Sequence, residues 1–370
     1  MTFSRTAIEA ILTGQRQPSF LVNVFLTWLS KRYGTGVKLR RSGYACGILK
    51  SKTLPCAVIS IGNLSTGGTG KTPMAIYTAE HVRQMGYRVA VISRGYKGSA
   101  EKHGGIVSDE DKILMDPKTA GDEPFLLASS LPGIPVLVGH NRYQSGMLAI
   151  KRFQTQVVIL DDAFQHLALF RDMNVVLLDR TRPFGNGHLL PRGTLREPVS
   201  ALKSADALIL TRSTEPFDIP ADSWATERPV FFAAHEPFLS ARFLAGETLQ
   251  LRRHVFSPET ETLVGKRFFA FSGIADNPDF HRTLEKLGVH LIGTKEFSDH
   301  HAYTSEDIRN IVESAVHAGA TALVTTEKDL ARLHGRFHLP MECAVVGIRI
   351  SLNDPMAFDR LIQNRISLSA

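Results

Sequence analysis

The chain has 370 residues, of which 43% are apolar and 21% are charged, and a formal net charge of +7. This length exceeds what one compact core usually holds, so we expect two domains, and the composition excludes disordered and collagen-like chains. No stretch reaches the roughly 20 uninterrupted apolar residues of a membrane-spanning helix. Three cysteines form neither a disulfide framework nor a metal knuckle, and the N-terminus lacks the layout of a cleavable secretion signal, so we expect a reducing, cytoplasmic setting.

The first 53 residues carry the positive charge. They contain nine basic side chains and one acid, a net charge of +8, so the rest of the chain sums to −1. Enzymes of nucleic acids more often carry basic patches throughout the working domain. We therefore expect no nucleic-acid partner.

An apolar patch within this basic segment recurs at helical spacing, and Lys31 and Arg32 follow it at once. A tryptophan-bearing apolar face beside cations, too short to span, is typical of a helix that lies in a membrane interface. An amphipathic helix that packs on the protein's own core explains the residues alone equally well. The patch consists of Phe20, Leu21, Val24, Phe25, Trp28 and Leu29.

From Leu54 onward, apolar runs alternate with amphipathic segments, and this rhythm predicts an α/β fold with a doubly wound parallel sheet. The predicted strands of the first domain are Val58–Ile61, Val89–Ser93, Pro135–Val138, Val157–Leu160, Val175–Leu178 and Ala207–Leu210. Helices are predicted between them at Met74–Met85, Glu123–Ala128 and Arg142–Lys151.

The alternation is lost over residues 214–265, where Pro216, Pro220, Pro229 and Pro237 exclude a long helix and Val230–Ala233 suggests a strand-built linker. We divide the chain into a basic amphipathic segment (1–53), a phosphate-loop domain (54–213), a linker (214–265) and a smaller C-terminal α/β domain (266–370). The last of these has predicted strands at Phe268–Ser272, Val289–Ile292, Ala322–Thr325 and Cys343–Ile348, and predicted helices at Asp279–Leu287 and Ser305–Ala318.

Residues 57–73 combine a buried strand, a glycine-rich loop and the start of a helix. Glycines allow backbone N–H groups to converge on phosphate oxygens, and a helix N-terminus attracts anions, so this segment predicts nucleotide binding. Lys71 is expected at the β- and γ-phosphates and Thr72 at Mg²⁺, although serine replaces the usual first glycine. The expected nucleotide contacts are Ser65, Thr66, Gly67, Gly68, Thr69, Gly70, Lys71 and Thr72.

Other motifs are less specific by themselves. The strand at Val157–Leu160 runs into Asp161 and Asp162, which fits acids that hold Mg²⁺ beside a phosphate loop but also fits a helix cap. Asp122 by itself indicates a helix N-cap, and His300 indicates a surface histidine.

Six motifs nevertheless occur in one order: Gly62–Pro73, Ser93–Tyr96, Gly121–Pro124, Leu160–His166, Leu190–Pro198 and Phe297–His300. Together they resemble the tetraacyldisaccharide 4′-kinase (lipid A 4′-kinase) family from about Phe20 to about Asp329. The resemblance implies phosphorylation of the 4′-hydroxyl of tetraacyldisaccharide 1-phosphate with ATP and Mg²⁺, giving lipid IVA for lipid A biosynthesis. It implies a P-loop kinase-like domain and a smaller α/β domain, at the cytoplasmic face of a Gram-negative inner membrane. It also favours the membrane interpretation of the N-terminal helix.

The resemblance also implies a role for each matching residue. Asp122 corresponds to the candidate general base, His300 to its partner, and Lys71 to the phosphate contact. Because Asp122 and His300 fall in different predicted domains, we expect domain closure to join them. Ala163 stands where relatives usually carry glycine. The expected metal contacts are Thr72, Asp161, Asp162, Gln165 and Glu197, and the residues expected at substrate or transferring phosphates are Arg142 and Arg196.

Two other functions remain open. An ATP-driven switch or partitioning protein of the deviant Walker type shares the Gly-Gly-x-Gly-Lys-Thr loop but requires lysine at the position of Thr66. A cytosolic small-molecule kinase would use the basic N-terminus only to pack on its own core. Measuring ATP consumption with and without a lipid-linked disaccharide phosphate separates all three.

Overall fold

The computed structural model describes residues 18–213, 228–251 and 265–369, together with Leu12 and Leu263. The start of the basic segment and part of the predicted linker, including Pro216 and Pro220, lie outside the described residues. The α-helices are α1 (Phe20–Ala45), α2 (Lys71–Gln84), α3 (Pro117–Ala120), α4 (Asp122–Ser130), α5 (Arg142–Phe153), α6 (Asn277–Lys286), α7 (Ser305–His317), α8 (Glu327–Leu333) and α9 (Pro355–Ser369).

Each predicted apolar run overlaps an observed strand, and the strand at Gly105–Ser108 was not predicted. The strands are β1 (Ala57–Asn63), β2 (Val89–Ser93), β3 (Gly105–Ser108), β4 (Val136–Val138), β5 (Val157–Asp161), β6 (Met173–Asp179), β7 (Ala207–Thr211), β8 (Val230–Phe243), β9 (Arg267–Ser272), β10 (His290–Glu296), β11 (Ala322–Thr326) and β12 (Glu342–Leu352). The predicted α/β class with mainly parallel strands is confirmed.

Contacts divide the chain into two compact units, the first of which comprises Met1–Arg88, Ile150–Ala234 and Ser351–Ala370. Its parallel strands run in the order β8, β7, β6, β1 and β5. β1 is buried along its whole length because both neighbours and α2 cover it. Ile61 pairs with Asp161, so β1 and β5 end at the same edge of the sheet.

The second unit comprises Val89–Ala149 and His235–Ile350. Here β2 pairs with β4 in parallel and β4 with β3 in antiparallel orientation, and β10, β9, β11 and β12 form a parallel set. A core of buried apolar side chains that includes Phe268 and Leu284 lies beneath the second set. The domain boundaries drawn from the sequence remain a prediction.

None of the helices that the structure describes has the length and apolarity needed to cross a bilayer. The N-terminal helix extends further than the predicted apolar face, to Ala45. Its Ser30 and Gly34 are buried, and Ser30 Oγ donates a hydrogen bond of 2.9 Å to the carbonyl of Leu189 in the first unit. Phe20, Leu21 and Phe25 stay exposed. The helix therefore packs by one face and leaves the predicted apolar face uncovered in the described part of the chain.

Candidate active site

The phosphate loop follows β1 and leads directly into α2. Gly70, the residue before α2, adopts a left-handed conformation with φ 83°, and Lys71 and Thr72 form the first turn of the helix. Asn63 Nδ2 donates a hydrogen bond of 2.8 Å to Thr69 Oγ1, which ties the last residue of β1 to the loop. The predicted strand, loop and helix therefore form the arrangement that presents backbone N–H groups to an anion.

A second turn, after β5, lies against the beginning of this loop. A Cβ atom at Gly62 would come within 2.8 Å of the backbone nitrogen of Phe164, so only glycine allows the two segments to approach this closely. In the same turn Asp162 takes the left-handed conformation, with φ 48°. Alanine at position 163 is buried and does not have to supply that conformation.

Asp162 is held by two cations. Arg196 donates from Nη1 and Nη2 to the two carboxylate oxygens, each at 3.1 Å, and Lys71 Nζ lies 3.9 Å from Oδ1. Arg196 also donates to Asn63 Oδ1 at 2.7 Å and to the carbonyl of Ser65 at 3.3 Å. Arg196 therefore connects the acid to the phosphate loop, and no such role could be assigned to it from the sequence.

Two further hydrogen bonds to backbone carbonyls hold the loop. Thr66 N donates to the carbonyl of Thr194 at 2.8 Å, and Arg212 Nη2 donates to the carbonyl of Gly68 at 3.3 Å. The Leu190–Pro198 motif thus supports the phosphate loop through the backbone carbonyl of Thr194 as well as through the side chain of Arg196.

The residues expected at Mg²⁺ fall into two groups. Thr72 and Asp161 are buried at the loop and at the end of β5, and Gln165 Nε2 donates to the carbonyl of Asn63 at 2.7 Å. Gln165 Oε1 is buried and has no hydrogen-bond partner among the described residues, as expected where a cation or its water would bind. These oxygens are of the kind that Mg²⁺ prefers, so the side chains fit the ion. Within the described ranges, no group of three or more His, Cys, Asp and Glu side chains is arranged so that these side chains alone could hold a metal ion.

Glu197, the fifth expected metal contact, has a different partner. Its buried carboxylate forms an ion pair with Arg41 of α1, and Arg41 Nη2 also donates to Ser204 Oγ at 2.6 Å. Burial raises the pKa of Glu197, and the charges of Arg41 and Arg40 oppose this only in part. Arg40 donates to the carbonyl of Gln165. Two arginines of the basic N-terminal segment therefore bind residues of the Leu160–His166 and Leu190–Pro198 motifs within the first unit.

The second unit contains the predicted acid–base pair. His300 Nδ1 lies 2.8 Å from Asp122 Oδ2, and His300 Nε2 lies 3.8 Å from Asp299 Oδ2. Because both Asp122 and His300 belong to this unit, the expected closure of one domain onto another is not what joins them. Gly121, with φ 93°, precedes α4, and a Cβ there would approach the carbonyl of Tyr96 to 2.9 Å.

A cation absent from the sequence-based site also contacts Asp122. Arg332 Nε donates to Asp122 Oδ2 at 2.8 Å. Burial raises the pKa of the Asp122 carboxyl, but the hydrogen bond from His300 and the charge of Arg332 outweigh it, so the pKa lies well below its usual range. The signal in the sequence was the Thr326–Asp329 capping pattern, with arginine one turn later.

Arg142, expected to face substrate, is almost fully buried, at 3% exposure. Its Nη1 donates to the carbonyl of Gly139 at 2.7 Å. The guanidinium therefore stabilises the turn before α5, and a contact with substrate remains a prediction.

Comparison with known proteins places these motifs in a family. The family model described as tetraacyldisaccharide-1-P 4′-kinase matches residues 22–367. Tetraacyldisaccharide 4′-kinase of Desulfatibacillum aliphaticivorans is 40% identical over 376 residues, covering 100% of both chains, and that of Syntrophus aciditrophicus is 41% identical, covering 94% of each. The crystal structure of "apo" form LpxK from Aquifex aeolicus in complex with ATP matches with a TM-score of 0.74 and 32% identity, over 93% of this chain and 99% of that one. The chain belongs to the tetraacyldisaccharide-1-P 4′-kinase family.

Proposed function

We propose that the chain transfers the γ-phosphoryl group of ATP to the 4′-hydroxyl of tetraacyldisaccharide 1-phosphate, which gives lipid IVA in lipid A biosynthesis. The observation that carries this proposal is the Asp122–His300 contact of 2.8 Å in a chain that also has a Gly-Lys-Thr phosphate loop. An alcohol acceptor has a proton to lose, and a positioned acid–base pair removes it. The family to which the chain belongs carries out this reaction.

The phosphate loop supplies the electrostatic part of the reaction. Phosphoryl transfer depends mainly on positioning and on neutralising the charge of the phosphates. We assign Lys71 to the β- and γ-phosphates and the amides of residues 65–72 to the phosphate oxygens. Thr72, Asp161, Asp162 and Gln165 would hold Mg²⁺, which when bound withdraws charge from the phosphates. Arg196 keeps Asp162 in place, with both nitrogens on its carboxylate.

The Asp122–His300 pair supplies the proton chemistry. When Asp122 is ionised, its carboxylate can only accept, so Nδ1 of His300 carries the hydrogen and donates a hydrogen bond to Asp122 Oδ2. The low pKa of Asp122 makes this carboxylate a poor proton store by itself, so we assign the proton of the attacking hydroxyl to the pair rather than to one residue. We assign Arg142 a supporting role in the turn before α5.

We place the enzyme at the cytoplasmic face of the inner membrane, where the acylated substrate is held. The support is the exposed apolar face of α1, on which Phe20 and Leu21 are 79% and 78% exposed. Arg32 lies over the ring of Trp28, with its Cζ atom 5.2 Å from the ring centroid, so a cation accompanies the apolar face. Such a face binds a bilayer surface without spanning it.

The test is an assay of the full chain in mixed micelles with ATP and Mg²⁺. We expect phosphorylation of tetraacyldisaccharide 1-phosphate and no phosphorylation of the deacylated disaccharide phosphate. A switch protein would hydrolyse ATP equally with and without lipid and form no phospholipid product. A cytosolic small-molecule kinase would leave the acylated disaccharide unchanged. Either result would refute the proposal.

A further inference from the structure

Arg332 of α8 is a buried cation at the centre of a network in the second unit, with 7% of its side chain exposed. Its Nε donates to Asp122 Oδ2 at 2.8 Å, and its Nη1 donates to Asp329 Oδ1 at 3.0 Å and to the carbonyl of Gly273 at 2.5 Å. One guanidinium thus holds two carboxylates and a backbone oxygen. The planar arrangement of its donors makes this possible, and lysine could not reproduce it.

Asp329 fixes Arg332 in turn. This carboxylate is fully buried, and Oδ1 accepts hydrogen bonds from Gly273 N at 3.1 Å and from Tyr303 Oη at 3.0 Å. Oδ2 accepts from Thr326 Oγ1 at 2.7 Å, at the start of α8. Because Asp329 is held from three segments of the chain, the position of Arg332 is determined by groups that do not themselves contact Asp122.

We propose that Arg332 is a positioning residue for the Asp122–His300 pair, and that Asp329 anchors it; this proposal rests on the proposed function. Arg332 and His300 donate to the same oxygen, Asp122 Oδ2, so the arginine fixes the carboxylate that orients the imidazole. The arginine acts through Asp122 and is not itself assigned a contact with substrate.

The charge around Asp122 determines the direction of its effect on pH dependence. From α8, Arg332 faces Asp122, with Asp329 behind it. From the loop after β10, His300 contacts Asp122, and Asp299 lies 3.9 Å from Arg332 Nη2. On α4 itself, the adjacent Glu123 is paired with Lys328 of α8 at 3.0 Å.

Removing Arg332 takes away the cation nearest the Asp122 carboxylate and leaves Asp299 and Asp329 with less opposing charge. The pKa of Asp122 therefore rises in the variant. On acidification, the Asp122–His300 pair then loses its function at a higher pH than it does in the wild-type chain.

A structural role alone would have a different signature. Arg332 and Lys328 both link α8 to α4, because each pairs with an acid in the first turn of α4. If Arg332 only packed the two helices together, replacing either cation would lower stability and leave the pH dependence of turnover unchanged. Lys328→Met is therefore a matched control, since it removes the neighbouring ion pair and leaves Asp122 with both of its donors.

The experiment compares Arg332→Met, Arg332→Lys and Lys328→Met with the wild-type chain. We expect Arg332→Met to lower kcat about 10- to 100-fold, to keep the KM for ATP within about threefold, and to move the acid limb of the kcat profile up by about one pH unit or more. The kcat and the acid limb of Arg332→Lys should lie between those of Arg332→Met and those of the wild-type chain. Added guanidinium ion should partly restore the kcat of Arg332→Met and should not raise the kcat of Lys328→Met. The acid limb of Lys328→Met should stay at its wild-type position.

Two readouts keep the test decisive. Thermal unfolding establishes that each variant is folded, and the Asp122 carboxyl is titrated by ¹³C NMR, assigned by its absence in Asp122→Asn. If wild type leaves the lipid unphosphorylated, the proposed function fails, and the titration still tests Arg332 without substrate. A folded Arg332→Met variant with the wild-type acid limb and an unshifted Asp122 titration would overturn the proposal. An equal loss of kcat in Lys328→Met, with neither acid limb moved, would do the same.

Discussion

Arg41 and Glu197, 156 positions apart in sequence, form an ion pair in which the carboxylate is buried and the guanidinium about one-fifth exposed. The arginine belongs to the basic N-terminal segment, whose charge suggested an anionic membrane as its partner. The glutamate belongs to the Leu190–Pro198 motif, which supports the phosphate loop. The pair therefore joins the N-terminal helix to the motif that supports the phosphate loop in the first unit.

Arg41→Ala should destabilise the protein because Glu197 would remain buried without its cation. Breaking a buried ion pair costs about 3–5 kcal/mol, and the partial exposure of Arg41 reduces our expectation to about 2 kcal/mol. Urea unfolding at neutral pH measures the difference. Lys38→Ala removes the same charge from the exposed side of the same helix and should change stability by less than about 0.5 kcal/mol.

The effect of Arg41→Ala should also depend on pH. The folded-state pKa of Glu197 is already raised by burial, and losing Arg41 raises it further. The uncharged carboxyl needs no cation, so the destabilisation is complete above this pKa and shrinks as the pH falls through it. A loss of stability that stayed constant on acidification would show that Arg41 contributes packing rather than charge.

Asp122→Ala should lower turnover far more than it weakens ATP binding. The carboxylate contacts His300 and Arg332, both in the second unit, whereas the phosphate loop belongs to the first. We expect kcat to fall by about 10²-fold or more and the Kd for an ATP analogue to stay within a few-fold. Single-turnover kinetics and calorimetry measure the two quantities. Turnover within a few-fold of wild type would contradict the assignment of Asp122.

Arg196→Lys should weaken productive ATP binding although the charge is retained. Lysine cannot donate to both oxygens of Asp162 and to Asn63 at once. We expect kcat/KM for ATP to fall about tenfold, and the double variant with Asp162→Asn to lose little more than the larger single effect. Fully additive losses would mean that the arginine and the aspartate act independently.

Much of the fold was predictable because the strands are short apolar runs separated by amphipathic segments. β8 continues through Pro237 to Phe243, which the proline-rich composition of this region did not indicate. β3, α3, α8 and α9 were not predicted; β3 and α3 have only four residues each, and α8 has seven. Elements so short give too few turns or alternations for a periodic pattern to be recognised, a reason that does not apply to the 15 residues of α9.

The candidate site was predictable where chemistry depends on adjacent residues and less so where it depends on tertiary contacts. The phosphate loop and Asp162 lie in continuous motifs. The roles of Arg332 and Arg41 depend on partners 210 and 156 positions away. The capping pattern at Thr326–Asp329 marks the start of the helix that carries Arg332, but no local spacing reveals the partner of either arginine. The pairing of Asp122 with His300 was expected only because the motifs resembled a family.

Trp28→Ser and Phe25→Ser should each weaken binding to vesicles that contain anionic lipid. Both side chains are about half exposed, and an aromatic side chain buried in an interface contributes about 2 kcal/mol, so we expect more than a tenfold loss of partitioning at any salt concentration. Lys31→Gln should instead cause a smaller loss that disappears at high salt. Sedimentation with vesicles measures all three.

Point substitutions test the membrane contact better than deletion of residues 1–53. The deletion would also leave the buried Glu197 without the cation of Arg41, and it would remove the hydrogen bond from Tyr33 to the carbonyl of Arg196. Val316→Ser is the matched control, since this apolar residue is 63% exposed on α7, which belongs to the second unit. It should leave sedimentation unchanged. If Trp28→Ser and Phe25→Ser sediment with vesicles as fully as Val316→Ser does, the exposed face of α1 does not contact the bilayer and another surface must hold the lipid substrate.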